Sequence, residues 1–191
     1  MKDHYHHGNL KKELIEVGIK IISEKGFEHL SLRNISQQCG VSHNAIYRHF
    51  DNKEQMIDCC REYVTQTLTE YLEQSINELD NAAKVNEFCH AYLSFYLEHP
   101  TYYSFLYRNS AVKIVFSVDE VKENYPPFEL FRKVCKNAFE SESLTDLEFH
   151  CRLVHYWSLM HGMCSLMLSE NVQIDCDWDE TINKIFGEGF I

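Results

Sequence analysis

Leu32-Arg33-Asn34-Ile35-Ser36-Gln37-Gln38-Cys39-Gly40-Val41-Ser42-His43-Asn44-Ala45-Ile46-Tyr47-Arg48-His49-Phe50 is a stretch that Gly40 and Ser42 cut into two short helices. Gly40 permits the left-handed backbone of a tight turn, and Val41 packs into the angle behind it. Ser42 is read as an N-cap that holds the free amides of the second helix, and Ser31 as the cap of the first. Two short helices joined in this way form a helix-turn-helix, a motif whose second helix enters the major groove of duplex DNA.

Upstream, Leu10, Leu14, Val17 and Ile21 share a face at helical spacing, widened by Ile15 and Ile22, and Gly26 stops the run. Downstream, Asn52 followed by Gln55 is a capping-box signature for a long fourth helix. Its apolar positions are Ile57, Cys60, Val64, Leu68, Tyr71 or Leu72, and Leu79. Further helices are predicted over 83–98, stopped by His99-Pro100, then over 101–108, 127–140, 145–169 and 178–187. Residues 109–125 are read as a loop or irregular helix, because Val112, Ile114, Val115, Phe116 and Val118 are β-branched or aromatic in an otherwise helical chain. The expected fold is all-α with about nine helices. A three-helix helix-turn-helix head, 1–52, is joined by the long fourth helix to a C-terminal helical bundle, 53–191.

Apolar residues make up 45% of the 191, with three prolines, enough for a core and too few breakers for disorder. No run approaches the length that spans a bilayer, and Met1-Lys2-Asp3-His4 is polar where a secretory signal would be apolar, so a cytoplasmic, nucleoid-associated protein is expected. The eight cysteines lie inside apolar periodic segments, which favours reduced, buried thiols over a disulfide scaffold. The net charge is −11, yet residues 1–60 hold eight lysines and arginines against eight acids, and six histidines besides. All the acidic excess therefore lies in the body, which repels DNA except where the head presents cations.

The segment from Leu10 to about Ile57 resembles the tetracycline-repressor (TetR) family of regulators without a gap. The residues that carry the likeness are Gly26-Phe27, Leu32-Arg33-Asn34-Ile35, Cys39-Gly40-Val41-Ser42, Ile46-Tyr47-Arg48-His49-Phe50 and Asn52-Lys53-Glu54. Ser36 and Cys39 stand where the family usually carries alanine, small replacements that helix packing should absorb. The resemblance implies a transcriptional regulator, by habit a repressor, that binds an operator in double-stranded DNA as a homodimer. His43, Asn44 and Ala45 open the second helix, where side chains reach base edges; asparagine can pair with adenine and alanine can touch a thymine methyl. Tyr47, His49 and Lys53 are spaced to meet the flanking strands, and Arg33 and Ser42 complete the expected DNA-binding set.

In the body, Trp157, His161, Cys164 and Leu168 share one helical face, while Ser158, Gly162, Ser165 and Ser169 share another whose small side chains allow a partner helix to approach. The latter is the expected dimer interface. The Trp157, His161 and Gly162 arrangement also resembles a motif of one subgroup of TetR-type C-terminal domains. Tyr92, Phe95, Tyr96, Tyr103, Trp157 and His161 are the expected effector-binding residues, for a largely apolar or aromatic molecule. His4, His6 and His7 suggest a polar arm near DNA or, with less support at ligand spacing, a metal clasp, and no metal or cofactor is expected. No phosphate loop, nucleophile elbow or metal signature points to an enzyme or to catalytic residues. The competing expectation is a thiol-based redox-sensing regulator of the same fold; Cys151 and Cys164 lie too far apart on one helix to bridge within a subunit.

Overall fold

The computed structural model describes residues 10–77, 79–108 and 112–186, with the backbone alone at 81, 82 and 108. Among these residues there are nine α-helices and no strand: α1 Leu10–Lys25, α2 Leu32–Gln38, α3 His43–Ile46, α4 Lys53–Ile76, α5 Asn81–Glu98, α6 Pro100–Tyr103, α7 Pro126–Ala138, α8 Asp146–Met167 and α9 Trp178–Phe186. No described helix is long and apolar enough to cross a membrane. The histidine-bearing N-terminus, His4, His6 and His7, lies outside the described residues.

Two compact units emerge, and they divide the chain differently from a cut at residue 52. The first holds 10–65 and takes in 101–108 from mid-chain; the second holds 66–100 and 112–186. The physical reason is the inner face of α4, where Met56, Cys60 and Val64 are fully buried and belong to the first core. Gly18 of α1 marks the approach, since a Cβ there would stand 2.8 Å from the Met56 Cε. The face of α1 is therefore centred on Leu14, Gly18 and Ile22, and Val17 is only half-buried. On α4, Met56 is buried in place of the expected Ile57, Leu72 is buried while Tyr71 is partly exposed, and Leu79 lies beyond the helix and is exposed. The segment 101–108 adds Phe105 and Leu106 to this core, with the Phe105 ring 6.3 Å from that of Phe27. It is a four-residue α6 followed by a wide π-type turn, Ser104–Arg108, rather than a single helix.

The same unit contains a cluster that spans three helices. The Glu16 carboxylate accepts from Tyr102 at 2.6 Å and from Tyr63 at 2.9 Å. Desolvation, followed by the bond to Glu16, raises the Tyr102 phenol far above its usual range, so its proton stays in place.

In the second unit α5 packs on α7, α8 and α9. Asp80 caps α5 through the Ala83 amide, and Thr145 with Glu148 forms a reciprocal capping box at the start of α8. Residues 112–125 have no helix. Val112, Ile114, Phe116 and Val118 are half-buried while Lys113 and Val115 are exposed, the alternation of a strand without a partner strand.

Candidate nucleic-acid interface and effector cluster

Gly40 adopts φ 67° and ends α2; a Cβ there would meet nothing within 4 Å, so backbone conformation rather than space selects glycine. The Val41 amide then donates to the Ser36 carbonyl at 2.9 Å and closes the turn. Ser31 and Ser42 occupy the N-cap positions, but neither hydroxyl makes the cap bond expected of it. At Ser42 the backbone carbonyl instead accepts the Ala45 amide at 2.9 Å, and the side chain is exposed. The capping box before α4 is offset by one residue: Asn52 accepts from the Gln55 amide at 2.8 Å, while Gln55 reaches back to the Asp51 amide.

α3 is a single turn of helix continued by turn bonds to Phe50, shorter than a helix running through that residue. It is anchored by Ile46 and Phe50, at 0% and 1% exposure. Every other side chain from 42 to 49 is partly or wholly in solvent, with His43, Asn44 and Arg48 exposed and Tyr47 at 47%. The His43 and Tyr47 rings pack edge to face at 5.0 Å, one helical turn apart. Arg33 is exposed at the start of α2 and Lys53 is half-exposed in the first turn of α4. Arg48, which the sequence marks only as part of the family motif, adds a cation to this surface, in a hollow also lined by Leu10, Val41, Ser42, Ala45 and His49. The signal that could have found it is its position between Ile46 and Phe50, where helical spacing turns residue 48 away from the buried side.

In the second unit Tyr92, Tyr96, Trp157 and His161 come together. Ring centroids are 5.0 Å apart for Tyr92 and Tyr96, 5.5 Å for Tyr92 and Trp157, and 5.2 Å for Trp157 and His161. Phe95 adjoins Tyr96 at 5.3 Å, and Phe128 and Phe131 of α7 close on Trp157 at 5.0 and 5.6 Å. Tyr103, also expected at the effector site, belongs to the first unit, where its ring centroid lies 5.1 Å from that of Tyr107. The Tyr92 hydroxyl and His161 Nε2 share a hydrogen bond of 3.0 Å, and burial pushes the imidazole down to about 4.

Below about pH 6.5 an unfolded chain protonates this histidine while the folded one does not, so stability should fall as pH drops from 6.5 towards 4, by up to about 3 kcal/mol. Denaturation midpoints measured across that window should separate from those of His161→Gln, whose side chain does not titrate; parallel curves would refute the buried, neutral imidazole.

Along α8, Ser158, Gly162 and Ser165 are exposed, Ser169 lies beyond the end of the helix and is half-exposed, and a Cβ on Gly162 would meet nothing within 4 Å. The exposed Leu147, Val154 and Leu166 lie on the same helix. Desolvation holds Cys60 and Cys164 up at about 12 and raises Cys89 and Cys135 as well, leaving little thiolate at these four buried positions, and no disulfide joins any two of the eight cysteines. Among the described residues no group of three or more His, Cys, Asp or Glu could hold a metal.

Residues 14–59 match the family model described as bacterial regulatory proteins, tetR family, and residues 85–186 match the tetracyclin repressor-like C-terminal domain. Among curated proteins, the nucleoid occlusion factor SlmA of Haemophilus ducreyi is 28% identical over 112 residues, 54% of this chain and 55% of that one. The HTH-type transcriptional repressor KstR2 of Rhodococcus jostii is 28% identical over 74 residues, 38% of this chain and 36% of that one. The chain thus spans about half or less of the length of the curated relatives it matches. Among solved structures, the regulator PfmR of Thermus thermophilus superposes with a TM-score of 0.66 at 17% identity, covering 91% of each chain. A TetR-like regulator from Rhodococcus gives 0.67 at 11% identity, covering 96% of each. At such identities the likeness shows the fold.

Proposed function

The chain belongs to the TetR family of DNA-binding transcriptional regulators, and from that premise we propose that it is a repressor that docks α3 in the major groove of a palindromic operator as a homodimer. What supports this reading is that α3 buries only Ile46 along its length and, with the turns that continue it, presents His43, Asn44, Tyr47 and Arg48 to solvent. His43, Asn44 and Ala45 read base edges; Arg33, Ser42, Tyr47, Arg48, His49 and Lys53 hold the backbone. The exposed ridge Ser158, Gly162, Ser165 and Ser169, with Leu147, Val154 and Leu166, meets its copy across a two-fold axis. A largely apolar or aromatic effector settles among Tyr92, Phe95, Tyr96, Tyr103, Trp157 and His161, and releases DNA by its preference for a state in which the recognition helices no longer stand one duplex turn, roughly 34–36 Å, apart. The protein acts in the cytoplasm, on the nucleoid.

Fluorescence anisotropy of a labelled duplex across a salt series tests the docking. Arg48→Gln should weaken binding and lower the slope of log affinity against log salt by about one for each phosphate no longer neutralised, about two for a dimer. A slope unchanged from that of the parent protein would place residue 48 away from DNA.

A further inference from the structure

The stretch 112–125 is the longest described run without helix, and side chains rather than a neighbouring strand bond its backbone at Val115, Val118, Asp119 and Tyr125. Asn124 is the hub. Its Oδ1 accepts the amides of Val115 at 2.8 Å and Tyr125 at 3.0 Å, and its Nδ2 donates to the Val115 carbonyl and to Glu129 Oε1, each at 2.7 Å. One amide side chain therefore mimics a strand partner and closes a ten-residue loop at its ends. Arg132, held by Glu129 at 2.9 Å, donates from its other arm to the Val118 carbonyl at 3.2 Å. Between those two attachments Phe116 lies edge-on to Phe128 at 4.8 Å, and Phe128 is itself 5.0 Å from Trp157.

Val112, Ile114, Phe116, Val118 and Val121 are only half covered and Val115 is exposed, whereas Phe128 against Phe116, and Trp157 and Tyr92 beyond it, are buried. Such a segment contributes little to the core through packing, so its opening is held mainly by the Asn124 bonds and the Arg132–Val118 bond. We infer that residues 112–123 are a hinged cover over the aromatic cluster, with Phe116 as its plug and Asn124 as its latch. This rests on the cluster being the effector site. The chemistry beneath the cover selects the ligand class: flat rings stack on Trp157 and Phe128, and the Tyr92–His161 pair offers one uncharged hydrogen-bonding partner. The cation of Arg132 is already engaged by Glu129, so a carboxylate ligand finds no counter-charge there. The expected effector is an uncharged aromatic molecule with a single polar group, able to replace Phe116 against Phe128.

A Trp178→Phe background leaves Trp157 as the sole tryptophan emitter. In it, Asn124→Ala should raise acrylamide quenching of Trp157 at least about twofold and speed amide exchange at 113–118 about tenfold, with exchange in α7 and α8 unchanged. Phe116→Ala, which removes the plug and keeps the latch, should raise quenching without the change in exchange. Parental quenching in both variants, each shown folded by circular dichroism, would overturn the cover. So would a uniform rise in exchange through α7 and α8 with Asn124→Ala, because the strap would then be part of the core. As a ligand probe, 1-naphthol should alter Trp157 emission faster in both variants than in the parent. Raised quenching with no naphthol response in any protein would support the cover and reject the effector reading of the cluster.

Discussion

Replacing Tyr47 and Lys53 together with alanine is expected to lower affinity for duplex DNA about a thousandfold while leaving the fold intact. Each backbone contact is worth on the order of 1 kcal/mol, and a two-fold dimer makes each one twice, so the four together sum to about 4 kcal/mol, or three decades. The fold should survive because Tyr47 is 47% exposed and Lys53 half-exposed; neither helps to fill the core formed by Ile35, Ile46 and Phe50. Removing the Lys53 charge should also lower the salt slope by about two for the dimer. Anisotropy titrations paired with thermal melts read both effects. Undiminished binding would remove these residues from the interface, and a collapsed melting transition would mean that they serve structure.

Arg132→Ala is expected to cost about 3–5 kcal/mol of stability, the largest loss from any one side chain considered in the second unit. The guanidinium is 3% exposed and the Glu129 carboxylate 13%, so the pair sits away from water. Removing the cation strands the carboxylate in a poorly solvated place and leaves the Val118 carbonyl without its donor. The cost is that of an abandoned buried charge rather than the net worth of the pair. The double variant Arg132→Met with Glu129→Leu should recover part of it, since no buried charge is left unpaired, while the Val118 carbonyl and one Asn124 N–H remain without their partners. Urea denaturation of the three proteins decides between these outcomes. A single variant within about 1 kcal/mol of the parent would show that water reaches Glu129 freely.

The head is legible in the sequence because its signals are local. Gly40 announces the turn through the backbone conformation it alone adopts cheaply, and the apolar spacing of α1 and α4 places their buried faces to within one residue. The departures are equally local in kind. Ser31 and Ser42 hold the cap positions without the side-chain bond, because residue type favours a cap but does not compel the hydroxyl to rotate inward. What cannot be read joins distant residues. Glu16 meets partners 47 and 86 positions away, and no spacing rule links a glutamate in the first helix to a tyrosine after Pro100. The same contact shows why the first unit borrows 101–108 from mid-chain. In 112–125 the β-branched residues mark a departure from regular helix but leave loop and irregular helix both open, since the Asn124 side chain, which supplies the bonds a ladder would have made, cannot be placed from spacing. The aromatic residues of α5 and α8 are legible one by one as apolar positions, whereas the contacts that join Tyr92 to Trp157 and His161 link residues too far apart in the chain for any spacing rule to reveal.

If α3, presented by two copies of this chain, reads duplex DNA, then selection from random duplexes with the purified protein, followed by sequencing of what it retains, tests it directly. The expected result is an inverted repeat whose half-site centres lie one helical turn, about 10–10.5 base pairs, or a multiple of it apart, with enrichment relaxed at one symmetric position by Asn44→Ala. Retained fragments with no common sequence, or an enriched site that Asn44→Ala and the Tyr47→Ala, Lys53→Ala pair leave unchanged, would contradict it.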